Sequence, residues 1–523
     1  MADQKPPNHP DADGQAEEVM EQEEEAMLDA DEADEEIEDE GDVAMDSDAE
    51  DEDMQEQEEI QLQNDSSAYF DAHKDSIFCI AQHPVYNDVI ATGGGDDMGY
   101  IFRLPEPRPS RILPKSYESD PQPEEREGII PLYKLPGHED SISAIAFTQP
   151  EGKFLVTGGL DGRLRSWYQA SGSISQLNLA NVDHEWRLTG EAKEVEEINW
   201  ISPCPGIDHP NVIALGANDG SVWVYQLGIE KGNVLQILQA YYLHTLSCTA
   251  GAWSPDGSLL CTVSEDGSLY VFNVFDPSQT GQAVVSLNGA DERFKVEGGF
   301  YSVAVAPNSA FVAAGGAEGQ IRIVGLPQPT TSATSSSKGA GAKAKAGGGK
   351  QAGGKSTGAA GGQAGQILAS LQAGEDSIET IAFSAAPLTL MAVGTVDGSI
   401  VLYDYAHRFA ARRKIVEAHE GEAVIRVEFV IPKSTSSLSA VAPQNAGAAG
   451  NWLLTSCGND GVLRRWDTRG GTTAAGQGLH GEWRGHRGGG DGGGILGFVQ
   501  GWGDRVTTAG DDGVSLVFET GTA

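Results

Sequence analysis

Positive charge is what this sequence has least of. Among 523 residues, 34 are Lys or Arg against 78 Asp or Glu, for a formal net charge of −44. Residues 1–65 hold a single base, Lys5, beside 29 acids. A chain so acidic repels nucleic-acid phosphates, so direct nucleic-acid binding is not expected; a basic protein or peptide is the partner its field favours. Cysteine is scarce as well. Cys79, Cys204, Cys248, Cys261 and Cys457 are odd in number, scattered, and never spaced as C-x-x-C. That pattern speaks against a zinc site or a disulfide framework and for a reducing compartment. Cys79, Cys248 and Cys261 lie in apolar runs and read as small core residues. No apolar run has the length of a membrane span, and the N-terminus is acidic where a signal peptide would be basic. A soluble, intracellular chain with no membrane partner is expected. No cofactor is expected either: the glycine run Gly488–Gly494 has no Lys-Ser/Thr pair behind it and precedes a strand rather than a helix.

What the chain has in abundance is a repeated spacing. Eight times an acid is followed six positions later by a large apolar residue: Asp96/Phe102, Asp161/Trp167, Asp219/Tyr225, Asp266/Phe272, Glu318/Val324, Asp397/Tyr403, Asp460/Trp466 and Asp512/Phe518. Gly directly follows the acid in seven pairs, and Asp97 takes that place in the first. Asp-Gly closes a tight turn because Gly accepts positive φ and Asp bonds its own backbone. Apolar alternation on both sides makes each unit a β-hairpin. Successive acids lie 47 to 79 residues apart, the spacing of propeller blades with some long loops.

Five units share more. His73, His138, His244, His419 and His486 stand ahead of the first strand, and Thr92, Thr157, Thr262, Ser456 and Thr508 lie four residues before the turn acid. The sets His138, Thr157, Asp161, Trp167 and His419, Ser456, Asp460, Trp466 are complete. They resemble the WD40 repeat, in which such residues form a buried hydrogen-bonded chain; a buried imidazole and carboxylate must satisfy each other. A Ser–His–Asp catalytic set is the competing reading, but five copies in one chain argue for structure, since catalysis needs one cleft. Units three, five and six lack the His and carry Leu215, Ala314 and Val393 at the hydroxyl position, where apolar packing is expected to replace the polar chain. The predicted fold is all-β, a WD40 β-propeller of eight blades, with seven as the fallback if the degenerate fifth unit is not a blade. That unit keeps its alternation through Tyr301–Val305 and Phe311-Val312, which favours eight. The last unit ends at Phe518-Glu519 with nothing left for its own outer strand, so a strand at Ala68-Tyr69-Phe70 is expected to close the ring.

The expected organisation is a disordered acidic tail over 1–65, either a solubilising segment or an electrostatic lure for a basic client, and a propeller over 66–523. Three loops interrupt it: a Pro-rich excursion at 105–128, a flexible Gly/Ala/Ser/Lys insert at 327–365, and an uncharged loop at 432–450. The insert's lysines could touch RNA, but no aromatics interleave with them, so a solvated linker is the better reading.

Acids recur in the segments before the first strand of each unit and in the inner turns: Asp75, Glu139, Asp140, Glu194, Glu297, Glu375, Asp376, Glu420 and Glu422, joined by Glu265 and Asp511. Few bases share these positions, chiefly Lys74, Lys193 and Arg487. One propeller face should therefore be an acidic funnel that focuses field on a basic ligand. The acidic tail, the first repeat His73–Cys79, the stretch Thr92–Asp97 and the eight-unit layout together resemble the angio-associated migratory cell protein family. That resemblance implies a dedicated chaperone of a large-subunit ribosomal protein of the L-ten type (universal L-sixteen). Such a protein captures the client's basic N-terminal segment and delivers it to the pre-60S particle, in the cytoplasm or also the nucleus. A generic WD40 scaffold and a histone or nucleolar assembly factor are the alternatives. No unique nucleophile, metal cluster or cofactor loop supports an enzyme.

Overall fold

The computed structural model describes residues 63–107, 126–169, 186–230, 234–328, 363–431, 452–469, 478–488, 492–501 and 503–521. All but residues 63–65 of the expected acidic tail, most of the 105–128 excursion, nearly all of the 327–365 insert and the 432–450 loop fall outside them.

Eight antiparallel sheets form eight blades. Their innermost strands are Ile77–Gln82, Ile142–Phe147, Ile198–Pro203, Cys248–Trp253, Phe300–Val305, Ile378–Phe383, Val424–Phe429 and Ile495–Val499. Each touches the next, and the last touches the first, so the ring is closed. We letter the strands of a blade a to d from the axis outwards. The degenerate fifth unit is a full blade, with strands Phe300–Val305, Phe311–Gly316, Gln320–Gly325 and Ile367–Gln372.

Turn chemistry follows the sequence pattern closely. Between strands b and c, Gly162, Gly220, Gly267, Gly319, Gly398, Gly461 and Gly513 all have φ between 66° and 83°, and Asp97 replaces glycine at φ 59°. Each blade buries both faces, so every strand b is buried along its whole length apart from half-buried Arg505. The eight apolar clusters lie one at each junction between neighbouring blades. Close approach there requires glycine in places: a Cβ on Gly93 would stand 2.5 Å from Ile142 Cγ2 of the next blade. Leu215, Ala314 and Val393 are buried in these clusters, as expected where the polar chain is missing.

The ring is closed by strand Ala68–Phe70, antiparallel to Ser515–Glu519 with Ala68 opposite Val517 and Phe70 opposite Ser515. Glu127–Gly128 adds a short parallel strand outside it. Phe70 is fully buried and stacks on Phe102 of blade 1, with ring centroids 4.2 Å apart.

Strand a carries a β-bulge in every blade. Pairing with strand b skips Phe78, Ser143, Asn199, Thr249, Tyr301, Glu379, Ile425 and Leu496 in turn. Side chains at or beside the bulge often donate to the carbonyl that opens the next blade's strand a. Cys79 Sγ donates to Ile142 O, Ser143 Oγ to Ile198 O, Thr249 Oγ1 to Phe300 O and Ser302 Oγ to Ile378 O.

His83, at the end of strand a of blade 1, is 1% exposed. Its Nδ1 accepts the backbone N–H of Val85 and of Tyr86, both at 3.1 Å, so the ring must stay neutral there. Burial holds its pKa down to about 4 from an ordinary 6.5. Between these values the unfolded chain takes up a proton that the folded one refuses, so stability present above pH 6.5 is lost as pH falls towards 4. The loss should reach about 3 kcal/mol for this group. The thermal midpoint is expected to drop over that window, and less steeply in His83→Gln; equal slopes in the two proteins would contradict the assignment.

Candidate interaction face

Antiparallel blades place the d–a connections and the b–c turns at one end of the ring, here the upper face, and the a–b and c–d connections at the other. The five histidines and the turn acids are thus upper-face elements that look inward. His73 Nδ1 lies 2.9 Å from Asp96 and Nε2 2.9 Å from Thr92. His138 bonds Asp161 at 3.1 Å and Thr157 at 2.8 Å; His419 bonds Asp460 and Ser456, both at 2.8 Å; His486 bonds Asp512 at 3.0 Å and Thr508 at 2.8 Å. Burial lowers the His138 and His419 pKa values. It would raise that of Asp161, but the N–H groups of Glu139 and Arg163 together with His138 outweigh it and keep the carboxyl below its usual range.

Two of these sets differ from expectation. In blade 4, Ser268 stands between the pair: His244 Nδ1 lies 2.6 Å from Ser268 Oγ and 3.9 Å from Asp266, and Ser268 passes the bond on to Asp266. In blade 7 Trp466 donates to Ser456 at 2.8 Å, completing the quartet. In blade 2 the Trp167 indole N–H has no partner, and the ring makes a T-shaped contact with Tyr133 of blade 1. That chain has three members, not four.

The predicted acids all lie on the upper face, but they are not equivalent. Glu139 pairs with Arg163 at 2.7 Å, Glu297 with Lys295 at 3.0 Å, and Glu420 with Arg464 at 2.8 Å and Arg484 at 3.4 Å. Their charge is already compensated, so the funnel is not a uniform ring of free carboxylates. Asp75 and Asp140 accept only the N–H of the next residue, and Asp511 accepts from Ser76 Oγ at 2.6 Å. The side chains of Glu194, Glu265, Glu375, Asp376 and Glu422 make no hydrogen bond or ion pair among the described residues. Against these uncompensated acids stand the exposed bases Lys74, Lys193 and Arg487. The face is acidic by excess. Burial raises the pKa of Asp97, and nearby Asp140, Asp96 and Asp161 raise it further, so carboxylates crowd where blades 1 and 2 meet.

Sequence reasoning missed three things here. Arg163 and Arg464, on the far side of their turns, consume two predicted acids; an Arg two or four residues after a turn acid was the available signal. Exposed Glu196 and Glu417 lie in the same d–a connections but were not counted. The face also carries exposed apolar side chains, Phe78, Leu160, Leu246 and Val396, so it offers contact surface as well as charge. Among the described residues no group of three or more His, Cys, Asp or Glu could hold a metal, and no helix is long and apolar enough to cross a membrane. Burial raises the thiol pKa of all five cysteines, to about 11 for Cys204 and about 12 for Cys248 and Cys457.

Comparison with known proteins agrees with this architecture. The WD40 family (WD domain, G-beta repeat) matches residues 129–168 and 235–273, each match running from the outer strand of one blade through the first three of the next. Among solved structures, Sqt1 of Chaetomium thermophilum bound to the N-terminus of ribosomal protein L10 is 45% identical, covers 87% of this chain and 100% of its own, and superposes with a TM-score of 0.69. Ribosome assembly protein SQT1 of Saccharomyces cerevisiae is 29% identical over 271 residues, 50% of this chain and 54% of the yeast protein; the match thus spans about half of that relative. The human angio-associated migratory cell protein is 22% identical over 413 residues, 77% of this chain and 71% of its own.

Proposed function

The chain belongs to the Sqt1 family of WD40 propeller proteins, and from that premise we propose that it is a ribosome assembly factor, a dedicated chaperone that binds the basic N-terminal segment of ribosomal protein L10 on its upper face and delivers the protein to the pre-60S particle. The observation that carries this reading is the ligand of the Chaetomium relative, the N-terminus of ribosomal protein L10. It is supported by the uncompensated acids described above. A carboxylate can hold an arginine by two parallel hydrogen bonds, so a few desolvated pairs near the centre would carry most of the affinity and outlying acids would speed encounter. The action is binding rather than catalysis: the His–Ser/Thr–Asp sets recur in several blades and are buried. Its place is the cytoplasm, where ribosomal proteins are made, with nuclear passage compatible.

The test is calorimetry with a synthetic peptide of the L10 N-terminal segment at two salt concentrations. Glu375→Lys/Asp376→Lys removes two acids with no internal partner. It is expected to weaken binding at least about tenfold, equivalent to 1.4 kcal/mol, and wild-type affinity should fall with salt. A folded variant with unchanged affinity would mean that the peptide docks elsewhere. A co-translational pulldown separates this reading from a generic scaffold or a histone assembly factor, since each has a different dominant client.

A further inference from the structure

The lower face gathers positive charge at one place. Arg412-Arg413-Lys414 is the only run of three bases in the chain, and it lies in strand d of blade 6, Ala410–Ile415. Beside it, where blades 6 and 7 meet, is a cavity of about 430 Å³. Arg412 and Arg413 line it from blade 6 and Arg469 from blade 7, while Trp452, Leu388 and Pro387 supply an apolar wall. Trp452, Leu388 and Pro387 belong to a–b connections and Arg469 to a c–d connection, so the cavity opens at the end of the ring away from the acidic face.

Two of the three guanidiniums are matched. Asp404 accepts Arg412 Nε at 3.0 Å and Nη2 at 2.6 Å, and Asp467 accepts Arg469 Nε at 3.0 Å and Nη2 at 2.6 Å. Arg413 makes no ion pair among the described residues. Its Nη1 donates to the Asp467 carbonyl at 3.1 Å, and the rest of its N–H fork is unused. The side chain is half-buried, and burial pulls its pKa below the ordinary arginine value against the opposing effect of Asp467. Glycine makes room for it: a Cβ on Gly478 would stand 2.6 Å from both Nη1 and Nη2. Arg408, exposed in the adjoining c–d connection, adds a further cation whose side chain has no partner among the described residues. Positive charge is therefore in excess around the cavity.

A planar fork of free N–H groups suits an oxyanion, and phosphate above all. The volume is that of a small-molecule site and larger than a bare phosphate needs. The half-buried Trp452 ring offers a surface on which a flat base can stack. We propose that this cavity binds a nucleoside phosphate, free or as one nucleotide of a single-stranded RNA, with the phosphate on Arg413 and the base against Trp452. The chain as a whole repels phosphates, but physiological salt screens charges beyond about 8 Å and the acidic face is at the other end of the ring. Both faces can be occupied together.

The experiment titrates adenosine monophosphate, a short single-stranded oligoadenylate RNA, inorganic phosphate and an oligoglutamate peptide into the full chain and three variants, by calorimetry, with a thermal melt of each protein. The nucleotide probes are expected to bind at least about tenfold more tightly than phosphate or oligoglutamate. Tighter binding of the RNA than of the monophosphate identifies a strand as the ligand, and equal binding a free nucleotide. Arg413→Gln should weaken nucleotide binding at least about tenfold without lowering the thermal midpoint, since no carboxylate loses its partner. Arg413→Lys keeps the charge but not the fork and should also bind weakly. Trp452→Leu should lose at least about fivefold. Phosphate or oligoglutamate binding as tightly as the nucleotides would make this a general anion or acidic-peptide site, and full affinity in Arg413→Lys would reduce it to charge attraction; either overturns the proposal. So would a lowered midpoint accompanying the loss in Arg413→Gln, binding that all three variants leave intact, or no nucleotide binding by the wild type.

Discussion

Removal of residues 1–71 is expected to abolish the stable monomer, whereas removal of 1–60 leaves the thermal midpoint unchanged. The shorter deletion ends before the first contact of the described chain, where Asn64 and Asp65 meet Gly485 and Arg484. The longer one takes Ala68 and Phe70, both fully buried, and with them the partner of Ser515–Glu519. A buried Phe contributes about 1.5–3 kcal/mol from its area alone, and truncating such a ring to Ala costs about 3–5 kcal/mol once the cavity is included. The greater effect is on the sheet. Strand Ser515–Glu519 becomes an open edge with unpaired N–H and C=O groups, a template for pairing with another copy. Size-exclusion chromatography with light scattering and a thermal melt decide it. A monomer at wild-type midpoint after loss of residues 1–71 would show that the closing strand is dispensable.

Asp460→Ala is expected to cost about 3–5 kcal/mol, the range for removing one partner of a buried ion pair. Asp460 is 6% exposed and lies between His419, which is fully buried, and Arg464, which is 5% exposed. It bonds both, and its carboxyl pKa is lowered by these partners against the opposing pull of burial. Alanine leaves a guanidinium buried with His419 Nδ1 and the more exposed carboxylates of Glu420 and Glu482 near it. Asp161→Ala, where Arg163 is more exposed, should cost less, about 2–4 kcal/mol. Adding Arg464→Leu to Asp460→Ala should recover part of the loss, because the stranded charge is then gone. Urea midpoints for the single and double variants test this; a single-variant loss below about 0.5 kcal/mol would mean that the network adds nothing.

The fold was legible because it rests on local rules repeated eight times. An acid and a positive-φ residue close each b–c turn, and even the exception, Asp97, takes the left-handed conformation its position demands. Blade 5 could be read without its His because Phe300–Val305 and Phe311–Gly316 keep the two-residue alternation of a buried sheet. The site was less legible, since the charge of a face depends on which acids find partners across turns. Arg163 and Arg464 reach Glu139 and Glu420 over 24 and 44 residues of sequence, a distance no local pattern encodes. Ser268 was hidden because a Ser two residues after a turn acid also occurs in blades 3 and 6 with no His to serve.

The long connections have one further consequence. Segments 104–130, 326–366 and 430–452 join strands c to d in blades 1 and 5 and a to b in blade 7, so each leaves and re-joins the ring on the lower face. Lengthening a loop costs little, about 0.6 kcal/mol per doubling, and the described ends of these segments stand at the end of the ring opposite the acidic face. These ends are therefore natural attachment points: a fluorophore, affinity handle or surface tether joined at Leu326 or Gln366 would be fixed to the lower end of blade 5, away from the acidic face.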